Sequence, residues 1–351
     1  MTERVLVLGG TRFVGRHLLE RLVALGCAVD VLNRGVTMPP EALPAGVGQL
    51  RADRADHGRV RSLLSGRAYD AVFDVSAYRP QEVATVLEAL PDTTGHYLLI
   101  STCVVYTHLW DPAPGHHDED PVPIAEDDGT VAGYFGDGDI VVHYAGAKRA
   151  CETTLLGQDR IPGTVLRPCG IYGRYDDRYR HDYFFDRIAA GRPVLIPDSH
   201  VDRRIHLTSV DGLVDACVRA AGRTGDDPLV LNIADRDVLS CGELAEECVR
   251  AAGADPRIIV YPRELAGEVL VPAEAGTAPP GAFPFGDEPG FRLDCTRAGE
   301  VLGWTAPSIG AGTAALFGAH AERRAAGGRA EPDFRFDDAL LARLAAAGSS
   351  P

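Results

Sequence analysis

After Arg4 the chain opens with Val5-Leu6-Val7-Leu8, an unbroken apolar run that predicts a strand buried on both faces. Gly9-Gly10-Thr11 breaks the run. Between residues 13 and 25, Val14, Leu18, Leu19, Leu22 and Val23 recur at helical spacing. The alternation then repeats: residues 29–32, 49–51, 71–75 and 97–100 read as strands, and residues 60–64 and 82–90 as helices. Short apolar strands alternating with amphipathic helices predict βαβ units and a parallel sheet covered on both faces. The expected fold class is therefore α/β, a doubly wound Rossmann domain.

Residues 107–140 interrupt the rhythm with Asp, Gly and Pro, and include His116 and His117. A long segment of this kind inside a compact domain predicts a loop over an active site. A helix follows at 144–156 and a strand at 164–166. Beyond residue 173 the pattern is irregular, with helices at 184–190 and 211–221 and strands at 193–196 and 229–233. Ser240-Cys241-Gly242-Glu243 is a capping box that opens a helix to Ala252. Residues 272–290, dense in Pro and Gly, predict a loop. The expected organisation is a Rossmann domain over 1–172 to which parts of 205–235 return, a smaller C-terminal lobe mainly over 173–340, and a flexible tail over 341–351.

Composition narrows the partners. The 351 residues are 45% hydrophobic, enough for a packed interior. With 35 Lys+Arg against 50 Asp+Glu the formal charge is −15, which repels phosphodiester backbones and argues against nucleic acid. The eight cysteines are scattered singly, without a CxxC or Cys/His metal spacing, so reduced thiols and no metal site are expected. The start lacks a basic segment and long apolar core, and no apolar run approaches the roughly 18 residues of a membrane span. A cytoplasmic protein acting on small molecules is expected.

A strand, then Gly9-Gly10-Thr11-Arg12-Phe13-Val14-Gly15, then a helix, has the order of a phosphate-cradling turn. Glycine lets the backbone turn tightly and approach a pyrophosphate, and the helix N-terminus offers free N–H groups and a partial positive charge. Gly9, Thr11, Arg12, Phe13, Val14 and Gly15 are the candidate cofactor residues. At the end of the second strand an acidic residue would bond the ribose 2′-hydroxyl of NAD; this chain has Asn33-Arg34. Arg34, helped by Arg12, fits the 2′-phosphate of NADP, or else is a solvated turn residue; NADP is slightly favoured over NAD. Asp53, after the third strand, either accepts from the adenine amino group or caps its own turn. Ser76, past the fourth strand, joins the cofactor set.

Tyr144-Ala145-Gly146-Ala147-Lys148 places a phenol and an ammonium four residues apart on one helical face. A free phenol has a pKa of about 10, and a nearby ammonium lowers it by favouring the phenolate. The phenolate can take a proton from a sugar hydroxyl as hydride leaves for nicotinamide, and the reverse protonates a ketone. Lys148 can also bond the nicotinamide ribose. A third hydroxyl is expected at the carboxyl end of the fifth strand, where Thr102 is the candidate and Ser101 the fallback.

Together these residues resemble the extended short-chain dehydrogenase/reductases, the NAD-dependent epimerase/dehydratase family. The likeness runs in order through the glycine turn from Gly9 to Arg16, Ser101-Thr102 before Val105-Tyr106, Tyr144 with Lys148, Leu166-Arg167-Pro168 before Ile171-Tyr172-Gly173, and Leu302-Gly303-Trp304. The resemblance implies a substrate-binding C-terminal lobe for a nucleotide-sugar and a catalytic trio of Thr102, Tyr144 and Lys148. It also implies a nicotinamide contact from the backbone at Pro168, and dimerisation through the Tyr144 helix. Arg12 stands where most extended members carry a second glycine. With Tyr183-Phe184-Phe185-Asp186-Arg187-Ile188, it resembles an atypical subgroup that includes the chloroplast stem-loop-binding proteins. Cys103 and Val104 replace the Asp-Glu pair of the sugar-nucleotide 4,6-dehydratases, which argues against that reaction. Arg204 and His206 are candidates for diphosphate contact, or belong to a solvated face. The leading expectation is an epimerase or reductase of a nucleotide-sugar, and beside it stands an NADPH-dependent ketoreductase of a non-nucleotide sugar or small carbonyl compound. A catalytically silent dinucleotide sensor or RNA-associated protein is the alternative.

Overall fold

A computed structural model of the chain describes residues 3–36, 42–109, 116–117, 140–176, 180–223, 225, 227–267, 269, 283–285, 292–327 and 331–348, with side chains outside 107–117 and 140–143. The two expected loops, 107–140 and 272–290, lie almost wholly outside the described residues, as do the side chains of His116 and His117.

The chain divides into two compact units, each described by itself. Met1–Ile171, Leu207–Asp235 and Phe291–Ala306 form the first; Tyr172–His206, Arg236–Gly290 and Pro307–Pro351 form the second. The first unit is built in the predicted rhythm: β1 (Arg4–Leu8), α1 (Phe13–Ala24), β2 (Ala28–Asn33), β3 (Gly48–Arg51), α2 (His57–Leu64), β4 (Ala71–Asp74), α3 (Pro80–Ala89), β5 (His96–Ile100), α4 (Ile140–Leu156) and β6 (Gly163–Pro168). The returning segments add α5 (Val210–Ala221), β7 (Leu229–Ile233) and α6 (Thr296–Leu302). The seven strands form one parallel sheet in the order β7-β6-β5-β4-β1-β2-β3. The chain runs outward from β1 in one direction and then from β4 in the other, which makes the β1–β4 edge the switch point where doubly wound sheets hold ligands.

The unbroken apolar strands follow from this burial. In β1, Val5 and Val7 join a core with Leu18, Leu19 and Leu22 of α1 and Leu213 and Cys217 of α5. Leu6 and Leu8 point the other way, into a core with Val60 and Leu64 of α2, Val83, Val86 and Leu87 of α3, and Cys151 and Leu155 of α4. Each fully buried Leu or Val contributes about 1.5–3 kcal/mol, so both sheet faces are held independently. Phe291–Ala306 belongs to this unit rather than to the smaller lobe where the sequence pattern put it: Ala298 and Trp304 sit in the first core, and Trp304 Nε1 donates to the Gly212 carbonyl (3.1 Å).

In the second unit, strand Val194–Pro197 pairs in parallel with Ile258–Tyr261, and Arg204–His206 pairs antiparallel with Val238–Ser240. The capping box forms as its residues dictate: Ser240 Oγ accepts from the Glu243 N–H (3.0 Å) and the Ser240 N–H donates to Glu243 Oε2 (2.6 Å). The expected flexible tail is instead mostly helix, Arg335–Ala346. Phe336, Leu340 and Leu344 recur every fourth residue and bury against Leu195 and Tyr261.

Candidate functional site

The turn after β1 is shaped by two glycines that nothing else can replace. Gly9 has φ +94°, a left-handed backbone, and a Cβ there would meet the Ser76 side chain. A Cβ on Gly15 would fall on the Gly9 carbonyl, so the first turn of α1 crosses the strand end at backbone contact. Phe13, at the helix start, also has positive φ (29°), a conformation rare for a bulky side chain and common where local strain serves a site. Arg12 precedes it as the N-cap residue, in extended backbone, without a side-chain cap bond. The first N–H groups of α1 have no acceptor within the helix, and the cap side chain supplies none. Thr11 and Val14 are half-buried and Arg12 is exposed. The cradle fits a pyrophosphate.

At the end of β2, Asn33 Oδ1 accepts from the Gly35 N–H (2.9 Å), leaving no carboxylate there, and Arg34 is exposed. Asp53 is exposed and its Oδ1 accepts from the Ala55 N–H (2.9 Å), the turn-capping geometry.

The next residue was not singled out from sequence. Arg54 turns inward, and its guanidinium forms a two-point pair with Asp74 at the end of β4 (2.5 and 2.7 Å). Tyr97 Oη and the Ser76 N–H also donate to Asp74 (2.6 and 3.1 Å), and Arg54 Nη1 donates to Ser76 Oγ (3.1 Å). Complete burial pushes the Asp74 carboxyl up, but the Arg54 charge and these bonds hold it below the ordinary carboxylate range. The pair thus fixes the β4–α3 turn against which Gly9 packs. A cavity of about 300 Å³, lined by Ala55, His57, Arg79, Gln81 and Glu82, opens on the same carboxyl-end side of the sheet.

Tyr144 and Lys148 lie one turn apart on α4. Lys148 is 3% exposed, and its ammonium donates to the carbonyls of Ala77 (2.9 Å) and Ile100 (2.7 Å), just past β4 and at the end of β5. Burial lowers its pKa, opposed by Cys151, Asp74 and Glu152. The sequence held a further signal for this residue: Lys148 is the sole lysine among the 35 Lys+Arg. A chain that uses arginine everywhere else keeps a compact ammonium with three rotatable donors at this one place.

Thr102 is buried, and its Oγ1 accepts from the Val104 N–H (3.3 Å). Ser101 Oγ is buried without a hydrogen-bond partner, which makes the fallback the hydroxyl still to be matched. Arg167 and Tyr106, from the Leu166-Arg167-Pro168 and Val105-Tyr106 motifs, meet in a buried network. Arg167 pairs with Glu152 on α4 (2.6 and 3.1 Å), and its Nη1 donates to Tyr106 Oη (3.0 Å), which donates to Asn232 Oδ1 (2.9 Å). Glu152 follows Tyr144 and Lys148 at the same four-residue spacing, so this buried network pins the helix that carries them. Pro168 ends β6. Arg204 and His206 lie in the second unit: His206 is buried, and Arg204 Nη1 donates to Glu243 Oε2 (2.7 Å), which a diphosphate would have to displace. Among the described residues there is no cluster of three or more metal-ligating side chains, and no helix is long and apolar enough to cross a membrane.

The doubly wound fold agrees with what the chain is similar to. The chloroplast stem-loop binding protein of 41 kDa b of Arabidopsis thaliana is 29% identical over 315 residues, 86% of this chain and 75% of that protein. The UDP-glucose 4-epimerase of Azospirillum brasilense is 26% identical over 330 residues, 86% of this chain and 87% of that enzyme. The crystal structure of a Thermotoga maritima UDP-glucose 4-epimerase with UDP-glucose superposes with a TM-score of 0.67 at 21% identity, covering 92% of this chain and 99% of that one. Residues 5–234 match the NAD dependent epimerase/dehydratase family, and the chain belongs to that family.

Proposed function

We propose that this protein is a nicotinamide-dinucleotide enzyme that epimerises or reduces a sugar carbon of a nucleotide-sugar. The observation that carries the reading is Lys148, a sole lysine buried one helical turn from Tyr144 and held by carbonyls at two adjacent strand ends. The turn from Gly9 to Gly15 would hold the dinucleotide's pyrophosphate, Asp53 and Ser76 would lie at its adenosine side, and Lys148 and the Pro168 backbone would lie at its nicotinamide side. When bound, the dinucleotide supplies the hydride acceptor or donor. The protein's own part is proton transfer. Tyr144 takes a proton from the substrate hydroxyl or returns one to a ketone. The Lys148 charge favours the phenolate, and the Thr102 or Ser101 hydroxyl bonds the substrate oxygen. The absence of an acidic residue at Asn33, with Arg34 exposed beside it, favours NADPH and hence the reductase form of this reading. The likeness to UDP-glucose 4-epimerases favours the epimerase form.

Denaturing the purified protein and identifying any released dinucleotide separates the two. Retained NAD marks the epimerase, and an empty site that takes NADPH marks the reductase. UDP-glucose is the first substrate to offer. Tyr144→Phe is expected to reduce turnover by about 10² to 10⁴, the range for loss of a general acid/base. Near-normal turnover in that variant would overturn the mechanism. Retention of a stem-loop RNA at physiological salt with no turnover would favour the RNA-associated alternative, against which the charge of −15 stands.

A further inference from the structure

Tyr78 lies outside every motif read from the sequence, yet it touches both members of the pair. It follows Ala77, whose carbonyl accepts from Lys148. Its ring centre lies 5.3 Å from Lys148 Nζ, with the ammonium over the ring, and 6.0 Å from the Tyr144 ring at an interplanar angle of 45°. Its backbone is fixed from α3, where Glu82 Oε2 accepts from the Tyr78 N–H (2.9 Å). The side chain remains 48% exposed, so it is not there to fill a core.

The ammonium has three donors. Two reach carbonyls, and the aromatic face supplies attraction on a further side, where the ring quadrupole favours a cation. The groups that act on the ammonium from neighbouring elements are Cys151 and Glu152 on α4, Asp74 at the end of β4 and Arg54 from the loop after β3. Tyr78 is the aromatic that adds to them from the β4–α3 turn. We propose that Tyr78 is a positioning residue of the Tyr144–Lys148 pair: its ring face holds the Lys148 ammonium against the Ala77 and Ile100 carbonyls, and its packing sets the Tyr144 ring. This inference rests on the reading of Tyr144 and Lys148 as the proton-handling pair.

The sole lysine makes the test direct. Protein labelled with ε-13C-lysine gives a single lysine signal, from Lys148, whose titration is read by NMR without any substrate. Removing the ring takes away a contact that favours the charged form, so Tyr78→Leu is expected to lower the midpoint by about one pH unit. Tyr78→Phe keeps the ring and is expected to stay within about 0.2 unit of the parent. The pH profile of UDP-glucose or NADPH-linked turnover should move in the Leu variant and return in the Phe variant. Far-UV circular dichroism checks that both variants fold, which their half-exposed position favours. An unmoved lysine midpoint in Tyr78→Leu, or a Phe variant that shifts as far as the Leu variant, would overturn the proposal. Near-normal turnover in Tyr144→Phe would instead overturn the reading beneath it, so the two failures are distinct.

Discussion

Arg54 and Asp74 show how much a single buried charge depends on its partner. Asp74 is wholly buried, and what keeps it ionised is the guanidinium at 2.5 and 2.7 Å. Removing Arg54 alone leaves an uncompensated buried carboxylate, so Arg54→Leu is expected to cost about 3–5 kcal/mol in urea unfolding at pH 7. Adding Asp74→Asn removes the stranded charge while the amide oxygen can still accept from Tyr97 Oη, so the double variant should recover a large part of that loss. A double variant no more stable than Arg54→Leu would mean that charge is not the cause. The pH dependence has a definite sign. A carboxyl whose folded pKa is depressed stabilises the fold above its unfolded value, about 3.9, and loses that contribution as pH falls through the folded value. The gap between the parent and Arg54→Leu should therefore narrow in acid.

Elements differ in how openly the sequence declares them. The strands from β1 to β6 and the helices between them were legible because both sheet faces are covered, and a strand buried on both sides must be apolar throughout. The glycine turn and the Tyr144/Lys148 spacing were legible for the same local reason. Arg54 was not, because its partner lies 20 residues away and no local pattern marks an arginine that turns inward. Tyr78 was missed because its meaning arises only where the β4–α3 turn meets α4. Strand Arg204–His206 escaped notice because it is three residues long and defined by pairing with Val238–Ser240. The helix Arg335–Ala346 runs into the tail expected to be flexible over 341–351, and its stripe of Phe336, Leu340 and Leu344 at every fourth position is the signal that the chain end packs. That stripe makes a prediction at the scale of the element. Leu340 is wholly buried, so Leu340→Ala should cost about 2–5 kcal/mol. An unchanged urea midpoint would restore the tail to a frayed appendage.

Across the whole molecule, acid stability should turn on His181 in the second unit. The ring is buried against Tyr172 (centroids 4.7 Å, stacked) and Phe185 (6.0 Å), and both its nitrogens are without a hydrogen-bond partner. Burial, with a smaller contribution from the Arg180 charge, pushes its pKa down to about 3. Unfolding returns the imidazole to its ordinary value of about 6.5, so below that pH the unfolded chain binds a proton that the folded chain refuses. His181 thus adds no penalty above pH about 6.5, and from there down to about 3 it costs the fold up to about 1.4 kcal/mol for each pH unit. Acid also neutralises carboxylates in a chain of formal charge −15, easing self-repulsion and acting in the opposite direction, so the parent's curve alone cannot isolate the histidine. His181→Phe can. It keeps an aromatic ring between Tyr172 and Phe185 and removes the titration. The difference in unfolding free energy between variant and parent should grow steadily in the variant's favour as pH is lowered from 6.5 to 4. Parallel curves over that interval would show that His181 meets water or a hydrogen-bond partner in solution.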